Sequence, residues 1–378
     1  MSGRAGFVIN QLGGVGRGGS DRVVCLLANA LSDRGWDVDI CVLTDDQTVD
    51  RELRQAVGLR FLDRIRLTAK LPRILARLIG GVRLVSAYRR EHPDAIMVSF
   101  IAWVNICTVL GSLGRKGGIV LSERTNPASD PSLAVARVVR DACYRRADAL
   151  VFQTPDAMNY FSDTIAARGT VIGNPVTPDL PRWTPDESRL QVVAACRLEA
   201  QKNVPLLLNA FARLHAVHPA AVLTIYGEGK LRGELENLVV DLDLGDCVQL
   251  PGHVDDVHSR IAEGSFFVLS SDFEGLPNSL LEAMAMGMPV ISTDCPIGGP
   301  GMLIDDHQNG VLVKVADVDE LAEAMSEFAN APREAALMGE RALRSMDEYQ
   351  MDHVIERWES LLADQLATPV VRDGGPRG

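Results

Sequence analysis

The chain alternates short apolar runs with longer amphipathic stretches, and it does so in two successive rounds. In the first round the strand-like runs are Phe7–Gln11, Val38–Leu43, Ala95–Phe100, Ile119–Ser122 and Ala149–Gln153, and helical patterns such as Asp21–Arg34 and Leu133–Arg146 lie between them. Short apolar runs are typical of buried strands, and longer periodic stretches are typical of helices. This alternation predicts a parallel sheet with helices on both faces.

The second round repeats the pattern after a break. Its strand-like runs are Leu190–Ala195, Ala221–Tyr226, Val248–Leu250, Phe266–Ser270, Pro289–Thr293 and Gly310–Val313, and helical patterns such as Val204–His215 and Val318–Phe328 separate them. Between the two rounds, residues 173–186 contain four prolines and show no periodicity. Such a stretch is typical of a linker between domains.

A chain of 378 residues is longer than one hydrophobic core usually supports. We therefore predict an α/β fold of two doubly wound, Rossmann-like domains that face each other across a cleft. The predicted bounds are residues 1–172 for the first domain, residues 173–365 for the second and residues 366–378 for a flexible tail. A last helix, at about residues 346–362, is expected to return to the first domain. Ligands are expected in the cleft, because open α/β sheets bind them at the carboxyl ends of their strands.

Charge and cysteine usage exclude several classes of function. The net charge is −12, and it divides into +6 for residues 1–172 and −18 for residues 173–378. The acidic second half argues against a nucleic-acid partner, because a protein that binds nucleic acid needs clustered cations on its binding face. The seven cysteines are scattered and form no Cys-x-x-Cys pair, so neither disulfides nor zinc is predicted. No export signal is recognised at the amino terminus, and a cytoplasmic location is expected.

The segment from Ala95 to Gly114 has two interpretations. It contains twenty residues without a charge, which is long enough for a membrane-spanning helix. However, Pro93 and Asp94 precede it as a turn, and polar residues such as Asn105 and Thr108 interrupt its apolar character. We favour a buried parallel strand followed by a buried helix.

Two carboxylates lie eight positions apart where a strand is expected to give way to a helix. Glu274 follows the apolar run 265–271, and Glu282 lies inside a predicted helix that begins at Pro277 and ends before Gly287. The free N–H groups at such a helix start attract a phosphate or a developing anion. The carboxylates can accept hydrogen bonds from hydroxyls. A phosphorylated sugar offers both kinds of group.

Two further loops of the second round carry groups suited to phosphate. Arg197 and Lys202 follow a predicted strand, and a forked and a mobile cation together suit a diphosphate. The alternative is a solvated helix start, which is disfavoured because cations at a helix N-terminus oppose its dipole. Gly227 and Gly229 form a strand-ending turn where the backbone could approach a base or a phosphate.

A glycine-rich turn opens the first round. Residues 14–19 follow a strand and satisfy the pattern G-x-G-x-x-G at the start of a predicted helix. One interpretation is a dinucleotide site, with Asp45 or Asp46 binding the ribose, which would indicate an NAD(P)-dependent oxidoreductase. The other is a tight turn that approaches a different ligand or the facing domain. The three Asp-x-Asp matches flank predicted elements at surface positions, so neither a metal nor a cofactor is predicted.

Taken in order, these motifs resemble the retaining glycosyltransferases of family 4, which have the GT-B architecture. The resemblance implies that Arg197 and Lys202 hold the donor diphosphate, that Glu274 meets the donor sugar and that Glu282 holds the nucleotide ribose. It implies a nucleotide-sugar donor, most simply a UDP-sugar, and a hydroxyl acceptor. A catalytically silent GT-B-like partner subunit is the remaining alternative. The further donor-binding residues implied by the resemblance are Gly275, Leu276, Pro277, Asn278, Gly227, Gly229, His253, Val254, Gly13 and Gly14.

On the acceptor side, the resemblance points to two loops of the first domain. The residues concerned are Gly18, Gly19, Glu123, Arg124 and Asn126. Many members of the family have a histidine after the strand at 119–122, where this chain has Glu123 and Arg124. Glu123 could contact an acceptor hydroxyl or pair with Arg124, and both alternatives are kept.

A basic segment runs from Arg60 to Arg90. It contains nine basic residues and a single acidic residue, Asp63, interleaved with leucine, isoleucine and valine. A helix of this composition can lie on an anionic membrane face, or it can be a surface helix with solvated cations. The membrane interpretation would place the protein on the cytoplasmic face and would make a polyprenyl-linked acceptor reasonable.

Overall fold

The computed structural model describes residues 3–13, 19–44, 47–49, 52–62, 73–186 and 188–367. It separates into two compact units. The first contains the chain up to Gly173 together with the chain from Val354 onward, and the second is Asn174–His353. Each unit is built around one parallel sheet, and each is described by itself below.

In the first unit, the described residues form a seven-stranded parallel sheet of order β3-β2-β1-β4-β5-β6-β7. Its strands are β1 Arg4–Ile9, β2 Asp37–Val42, β3 Gly58–Phe61, β4 Ile96–Phe100, β5 Ile119–Glu123, β6 Ala149–Phe152 and β7 Gly169–Val171. Its helices are α1 Gly19–Asp33, α2 Arg73–Glu91, α3 Ala102–Gly111, α4 Ala134–Tyr144, α5 Pro155–Asn159 and α6 Asp163–Ala166. The central strands β4 and β5 are buried along their whole length. The doubly wound α/β fold predicted for this half is confirmed.

In the second unit, the described residues form a six-stranded parallel sheet of order β10-β9-β8-β11-β12-β13. Its strands are β8 Gln191–Ala195, β9 Val222–Tyr226, β10 Val248–Gly252, β11 Phe266–Leu269, β12 Val290–Thr293 and β13 Val311–Val313. Its helices are α7 Val204–Val217, α8 Arg232–Asp241, α9 Val257–Ile261, α10 Asn278–Met286, α11 Gly299–Leu303, α12 Val318–Asn330 and α13 Pro332–Ser345. The fold of this half is also confirmed.

The core of the second unit lies on both faces of its sheet because successive strand residues point to opposite sides. Val192 belongs to one buried cluster with Phe211 of α7, whereas its neighbour Val193 belongs to another with Leu280 of α10. Helices α7 and α12 therefore cover one face, and α10 covers the other. The helices on both faces hold the sheet in place, and the loops of the candidate site begin at its carboxyl edge.

The uncharged segment 95–114 forms strand β4 and helix α3. Both elements are buried in the first unit, and Asn105 donates hydrogen bonds to the carbonyl of Ser122 (3.0 Å) and the hydroxyl of Tyr144 (2.8 Å). The interpretation as a buried strand and helix is confirmed. Over the described ranges, no helix combines the length and the apolar character needed to cross a bilayer.

The last helix, α14 Met351–Ala367, belongs largely to the first unit. Its Trp358 is fully buried, with its ring 5.8 Å from the ring of Phe100. The predicted second domain extended to residue 365, whereas the compact unit ends at His353. The difference arises because Trp358 of α14 packs against Phe100 of β4 in the core of the first unit.

The proline-rich stretch between the two sheets is irregular, as expected, but it packs on the second unit. The indole N–H of Trp183 donates to the carbonyl of Gly264 (2.8 Å), and the backbone N–H of Val176 donates to the carbonyl of Tyr349 (2.8 Å). Trp183 is buried. This stretch is therefore part of the unit and can contribute side chains to a site there.

The segment Arg60–Arg90 is not one basic helix. Arg60 lies on strand β3 and pairs with Glu91, and helix α2 begins only at Arg73. Arg89 is fully buried, and its guanidinium donates to the carbonyls of Ala95 (2.6 Å) and Gly118 (2.7 Å). The nine cations therefore do not share one helix, because Arg89 satisfies buried carbonyls and Arg60 belongs to the sheet. The contact of this segment with an anionic membrane stays a prediction. Residues 63–72, which include three of the cations, lie outside the described residues.

Candidate functional site

The candidate site lies at the carboxyl edge of the six-stranded sheet, between β8 and β11. These strands are neighbours, but the chain leaves β8 toward β9 on one side and leaves β11 toward β12 on the other. Such a reversal of strand order, called the switch point below, opens a crevice in which α/β sheets bind ligands. The loop after β8 carries Arg197 and Lys202, and the loop after β11 carries Glu274.

Lys202 and Glu274 form an ion pair at this point. The ammonium of Lys202 donates to Oε1 of Glu274, and the side chains are only 14% and 8% exposed. The same carboxylate accepts hydrogen bonds from the hydroxyl of Ser271 (2.7 Å) and the side-chain amide of Gln201 (3.4 Å). A charge buried to this extent requires such compensation. The pair therefore fixes one positive and one negative group at the switch point.

Side chains from each loop hold the other in place. Asn203 has a left-handed backbone (φ 41°) and caps α7 by accepting the N–H of Leu206 (3.2 Å), and its amide donates to Asp272 (2.7 Å). The hydroxyl of Ser270 donates to the carbonyl of Lys202 (2.9 Å). Because these bonds link the two strand ends, they fix the backbone at Lys202, and the pair with Glu274 then fixes the ammonium.

Arg197 is placed differently from Lys202. Its side chain is 46% exposed, and its guanidinium lies 3.2 Å from the carboxylate of Glu199. An exposed pair of this kind is screened by water and stabilises little. Arg197 is therefore free to exchange Glu199 for an incoming anion, whereas Lys202 is held in the buried pair.

Glu282 lies on helix α10, which begins at Asn278 and ends at Gly287 (φ 82°). Pro277 is the N-cap residue, one position earlier than the first helical position predicted for it. The buried carboxylate of Glu282 accepts a hydrogen bond from the hydroxyl of Thr177 (2.6 Å) and lies 3.0 Å from Nε2 of His258. Each of the two glutamates therefore has its own set of protein partners.

The loop between β11 and α10 is tightly confined. A side chain at Gly299 would overlap the carbonyl oxygen of Gly275, so α11 can approach this loop only through a glycine. Leu276 packs into the core, and its carbonyl accepts from the amide of Asn174 (3.3 Å), which also donates to the side chain of Asn278 (2.6 Å). What this loop offers to a ligand is therefore mainly its backbone.

Gly227 and Gly229, which follow β9, lie against the loop that follows β8. A side chain at Gly227, which has φ 128°, would overlap the carbonyl of Cys196, and one at Gly229 would overlap the carbonyl of Leu198. The backbone N–H of Leu198 donates to the carbonyl of Glu228 (2.9 Å). These contacts bring the turn after β9 against the loop that carries Arg197. In the next turn, His253 is exposed and Val254 is half-buried.

The glycine-rich turn of the first unit is described only at its ends. Gly13 is buried after β1, and Gly19 is the exposed first residue of α1. Gly14 and Gly18 lie outside the described residues, as do Asp45 and Asp46. The roles predicted for these residues stay predictions.

Glu123, at the end of β5, is buried in a polar network. Its carboxylate accepts hydrogen bonds from the hydroxyls of Tyr144 (2.7 Å) and Thr125 (3.1 Å) and from the backbone N–H of Arg124 (3.0 Å). The guanidinium of Arg124 lies over the ring of Phe100, 4.8 Å from its centroid. Glu123 is thus buried, with Tyr144 and Thr125 as partners in addition to the backbone of Arg124. Its contact with an acceptor hydroxyl stays a prediction. Asn126 stabilises the loop by accepting the N–H of Ala128 (2.9 Å).

This burial has a consequence for stability. Desolvation raises the pKa of the Glu123 carboxyl above its ordinary value of 4.5, and the hydrogen bond from Tyr144 opposes the shift. The folded protein therefore binds this proton more tightly than the unfolded chain does. Its contribution to stability is fully present below pH 4.5 and is lost as the pH rises from there through the folded pKa.

We expect the free energy of unfolding of the Glu123→Gln variant to fall less between about pH 5.5 and about pH 8 than that of the original protein, because glutamine does not ionise. Urea unfolding at the two pH values measures both differences. The matched control is Glu359→Gln, since the pKa of Glu359 is lowered by hydrogen bonds from Trp36 and Arg34 and this carboxyl is ionised over that range. An equal fall in Glu123→Gln and the original protein would contradict the prediction.

A metal site needs several ligand side chains that lie close together. Among the residues that the structure describes, no group of three or more histidine, cysteine, aspartate or glutamate side chains is arranged to hold a metal ion. The cations described at the switch point are Lys202 and Arg197.

Comparisons with known families agree with this geometry. Residues 189–331 match the family model described as glycosyl transferases group 1, and residues 18–175 match the model described as glycosyl transferase 4-like domain. The two models together span most of both units. The chain therefore belongs to the family 4 glycosyltransferases, which are enzymes of GT-B architecture. The oxidoreductase alternative drawn from the glycine-rich turn finds no support in these matches.

Relatives similar over almost the whole chain include two bacterial enzymes. The lipopolysaccharide core biosynthesis glycosyltransferase LpsE of Rhizobium meliloti is 26% identical, over 92% of this chain and 96% of the relative. A Campylobacter jejuni enzyme is also 26% identical, over 92% of this chain and 95% of the relative; by its name it is an α-1,4-N-acetyl-D-galactosaminyltransferase acting on an undecaprenol-diphosphate-linked saccharide.

Solved structures share the fold. Sucrose-phosphate synthase from Thermosynechococcus elongatus superposes with a TM-score of 0.85 at 19% identity, over 97% of this chain and all of that one. Anabaena HepE, solved in complex with UDP-glucose, superposes with a TM-score of 0.79 at 16% identity, over 96% of this chain and 99% of that one. At these identities the likeness establishes the GT-B fold.

Proposed function

We propose that the protein transfers a sugar from a nucleotide diphosphate sugar, specifically a UDP-sugar, to a hydroxyl acceptor with retention of anomeric configuration. One observation carries the proposal: the Lys202 ammonium is held by Glu274 at the switch point of the six-stranded sheet. Helix α10 begins four residues after Glu274. A cation, a carboxylate and a helix N-terminus near one sheet edge support the binding of a phosphorylated sugar there.

The two cations at the site match the negative charge of the proposed leaving group. When the bond to the sugar breaks, negative charge develops on the departing diphosphate, and groups already placed around it stabilise the transition state. Lys202 is positioned for this task by its loop, and Arg197 can join it by giving up its exposed contact with Glu199. The N–H groups at the start of α10 add a further positive end. No step of this scheme requires a metal.

The two glutamates would then divide the recognition of the donor. Glu274 would accept hydrogen bonds from hydroxyls of the transferred sugar, next to the diphosphate that Lys202 binds. Glu282 would accept them from the ribose, because its carboxylate is already aligned by Thr177 and His258. The confined backbone of Gly275 to Asn278 would contact the sugar, and the turn at His253 and Val254 would line the base.

The acceptor is proposed from the relatives. LpsE acts, by its name, in lipopolysaccharide core biosynthesis, and the Campylobacter jejuni enzyme acts on an undecaprenol-diphosphate-linked saccharide. A lipid-linked or cell-envelope glycan is therefore the proposed acceptor class. The choice of uridine is supported by HepE, whose structures contain UDP and UDP-glucose.

We expect the protein to bind UDP and not NAD in calorimetric titrations, and the Glu282→Ala variant to bind UDP about 10-fold to 150-fold more weakly. A hydrogen bond to a charged group contributes about 1.5–3 kcal/mol, which corresponds to this range. The control is Glu340→Ala, which removes an exposed carboxylate from α13. Binding of NAD without UDP would overturn the proposal.

Catalysis is tested separately from binding. The purified protein, given candidate UDP-sugars and either lipid-linked or small-molecule acceptors, should release UDP and form a product that retains the anomeric configuration. Binding of UDP without turnover of any donor would favour the silent partner subunit instead.

A further inference from the structure

Helix α4 in the first unit exposes apolar side chains where a surface helix normally exposes polar ones. We define the α4 apolar face as Leu133, Val135, Val138 and Val139, whose exposures are 71%, 77%, 69% and 42%. Val135, Val138 and Val139 have the spacing that places side chains on one side of a helix. The opposite side is occupied by buried Arg140, Cys143 and Tyr144. The apolar residues are therefore outside because the helix is already anchored by its other face.

The anchoring of α4 is specific. The guanidinium of Arg140 donates to the carbonyl of Pro127 (2.6 Å) and lies over the ring of Phe161, 4.8 Å from its centroid. Tyr144 is fixed by its hydrogen bond to Glu123 (2.7 Å). Rotating the helix to bury its valines would break these contacts. The α4 apolar face is thus a built feature of the folded unit.

Cations border this face. Arg145 and Arg146 follow the last turn of α4 and are exposed, whereas Arg137 lies on another side of the helix and donates to the carbonyls of Pro131 and Ser132. The acid on the helix, Asp141, is paired with Arg140 (2.9 Å). On the same layer of helices, α3 packs against both α4 and α2, and α2 exposes Arg77, Arg83 and Arg90. The cations next to the apolar face are therefore Arg145 and Arg146, and those of α2 lie beyond α3.

We propose that the α4 apolar face and its arginines dock the first unit on an anionic lipid bilayer. Apolar side chains enter the boundary between headgroups and acyl chains, and arginines beside them bind anionic headgroups. Four side chains of this size expose roughly a few hundred Å², whereas a specific protein interface needs about 800 Å² from each partner. A bilayer accepts so small an apolar insertion and adds the attraction of the arginines, so it fits better than a second copy of the chain.

The test is co-sedimentation of the full chain with vesicles, at low salt, of either phosphatidylcholine alone or phosphatidylcholine mixed with phosphatidylglycerol. We expect the protein to pellet with the mixed vesicles and to pellet much less with phosphatidylcholine alone. The double variant Val135→Asp/Val138→Asp should partition about tenfold more weakly, because each aspartate is costly to insert and is repelled by the lipid. The double variant Arg145→Ser/Arg146→Ser should lose mainly the preference for the anionic lipid.

The second unit offers matched controls. Val217 and Val240 are 70% and 74% exposed, so Val217→Asp/Val240→Asp makes the same chemical change at similar exposure away from α4. This control should pellet like the original protein, and circular dichroism should show that all variants are folded. Equal pelleting of the α4 variant and the original protein would overturn the proposal.

Two further outcomes would also overturn it. If nothing pellets and light scattering shows a dimer that Val135→Asp/Val138→Asp dissociates, the face binds a second copy of the chain. If nothing pellets and the protein is a monomer, the face has no affinity for an anionic bilayer. Vesicle binding is measured without donor or acceptor, so its result is independent of the transfer reaction.

Discussion

Replacing Lys202 with alanine is expected to lower kcat for sugar transfer by about 10²–10³-fold. This ammonium is held by Glu274, and the backbone of Lys202 is held by the hydroxyl of Ser270 at the switch point. A charge fixed in advance stabilises a departing diphosphate without reorganisation at the moment of reaction, and its removal affects the rate more than the binding of the donor. The release of UDP from donor and acceptor measures the effect.

Two companion variants separate chemistry from folding. Lys202→Met keeps the apolar stem and removes only the charge, so it should lose activity as Lys202→Ala does. Lys314→Ala removes an exposed lysine of the second unit, 79% exposed, and should leave kcat unchanged. Glu274→Ala should lose at least as much activity, since it removes both the proposed sugar contact and the partner of Lys202. Full activity in Lys202→Met would refute the role given to this cation.

Replacing Gly227 with alanine is expected to destabilise the second unit by about 3 kcal/mol or more. The added methyl group would overlap the carbonyl of Cys196, and the backbone of Gly227 has φ 128°, a conformation that other residues rarely adopt. The turn after β9 would have to move away from the loop that carries Arg197. Urea unfolding followed by tryptophan fluorescence measures the loss.

Gly233 provides the control for this substitution. It lies on helix α8, six positions further along the chain, and a methyl group there would meet open space. Gly233→Ala should leave stability unchanged or raise it by up to about 1 kcal/mol, because alanine favours the helix. Similar unfolding midpoints for the two alanine variants would contradict the close approach seen at Gly227.

Much of the architecture could be predicted from the sequence because apolar runs determine which strands are buried. The six strands of the second sheet were all expected, with bounds that differ by one or two residues. Strands β3 and β7 were missed. Both are edge strands, and most of their residues are only half-buried, so they lack the apolar run that marks a central strand.

The site was predictable only in part, and the reason is distance along the chain. Lys202 and Glu274 were singled out because each follows a strand, and the structure joins them in one pair. The partners of Glu282 could not be found in this way: Thr177 lies 105 positions away in the apparent linker, and His258 lies 24 positions away. No local pattern marks either residue, since only the packed fold brings them to the carboxylate.

Glycines and arginines show a second limit of sequence reasoning. Gly227 and Gly229 were assigned to a ligand, which stays a prediction, and the structure adds the close approach of the neighbouring loop as a reason for their missing side chains. Arg89 was counted among surface cations, but it donates to buried carbonyls. The residue type limits the roles that a position can have, but the role it takes depends on neighbours that only the folded structure brings to it.

The return of α14 to the first unit affects the order in which the protein can mature during synthesis. Residues 174–353 form a continuous stretch, so all parts of this unit are synthesised before most of α14. The other unit begins earlier in the chain, but it lacks Trp358 against Phe100 until α14 has been made. The unit that begins earlier is thus completed later, and its aromatic core can close only after the other unit has been synthesised.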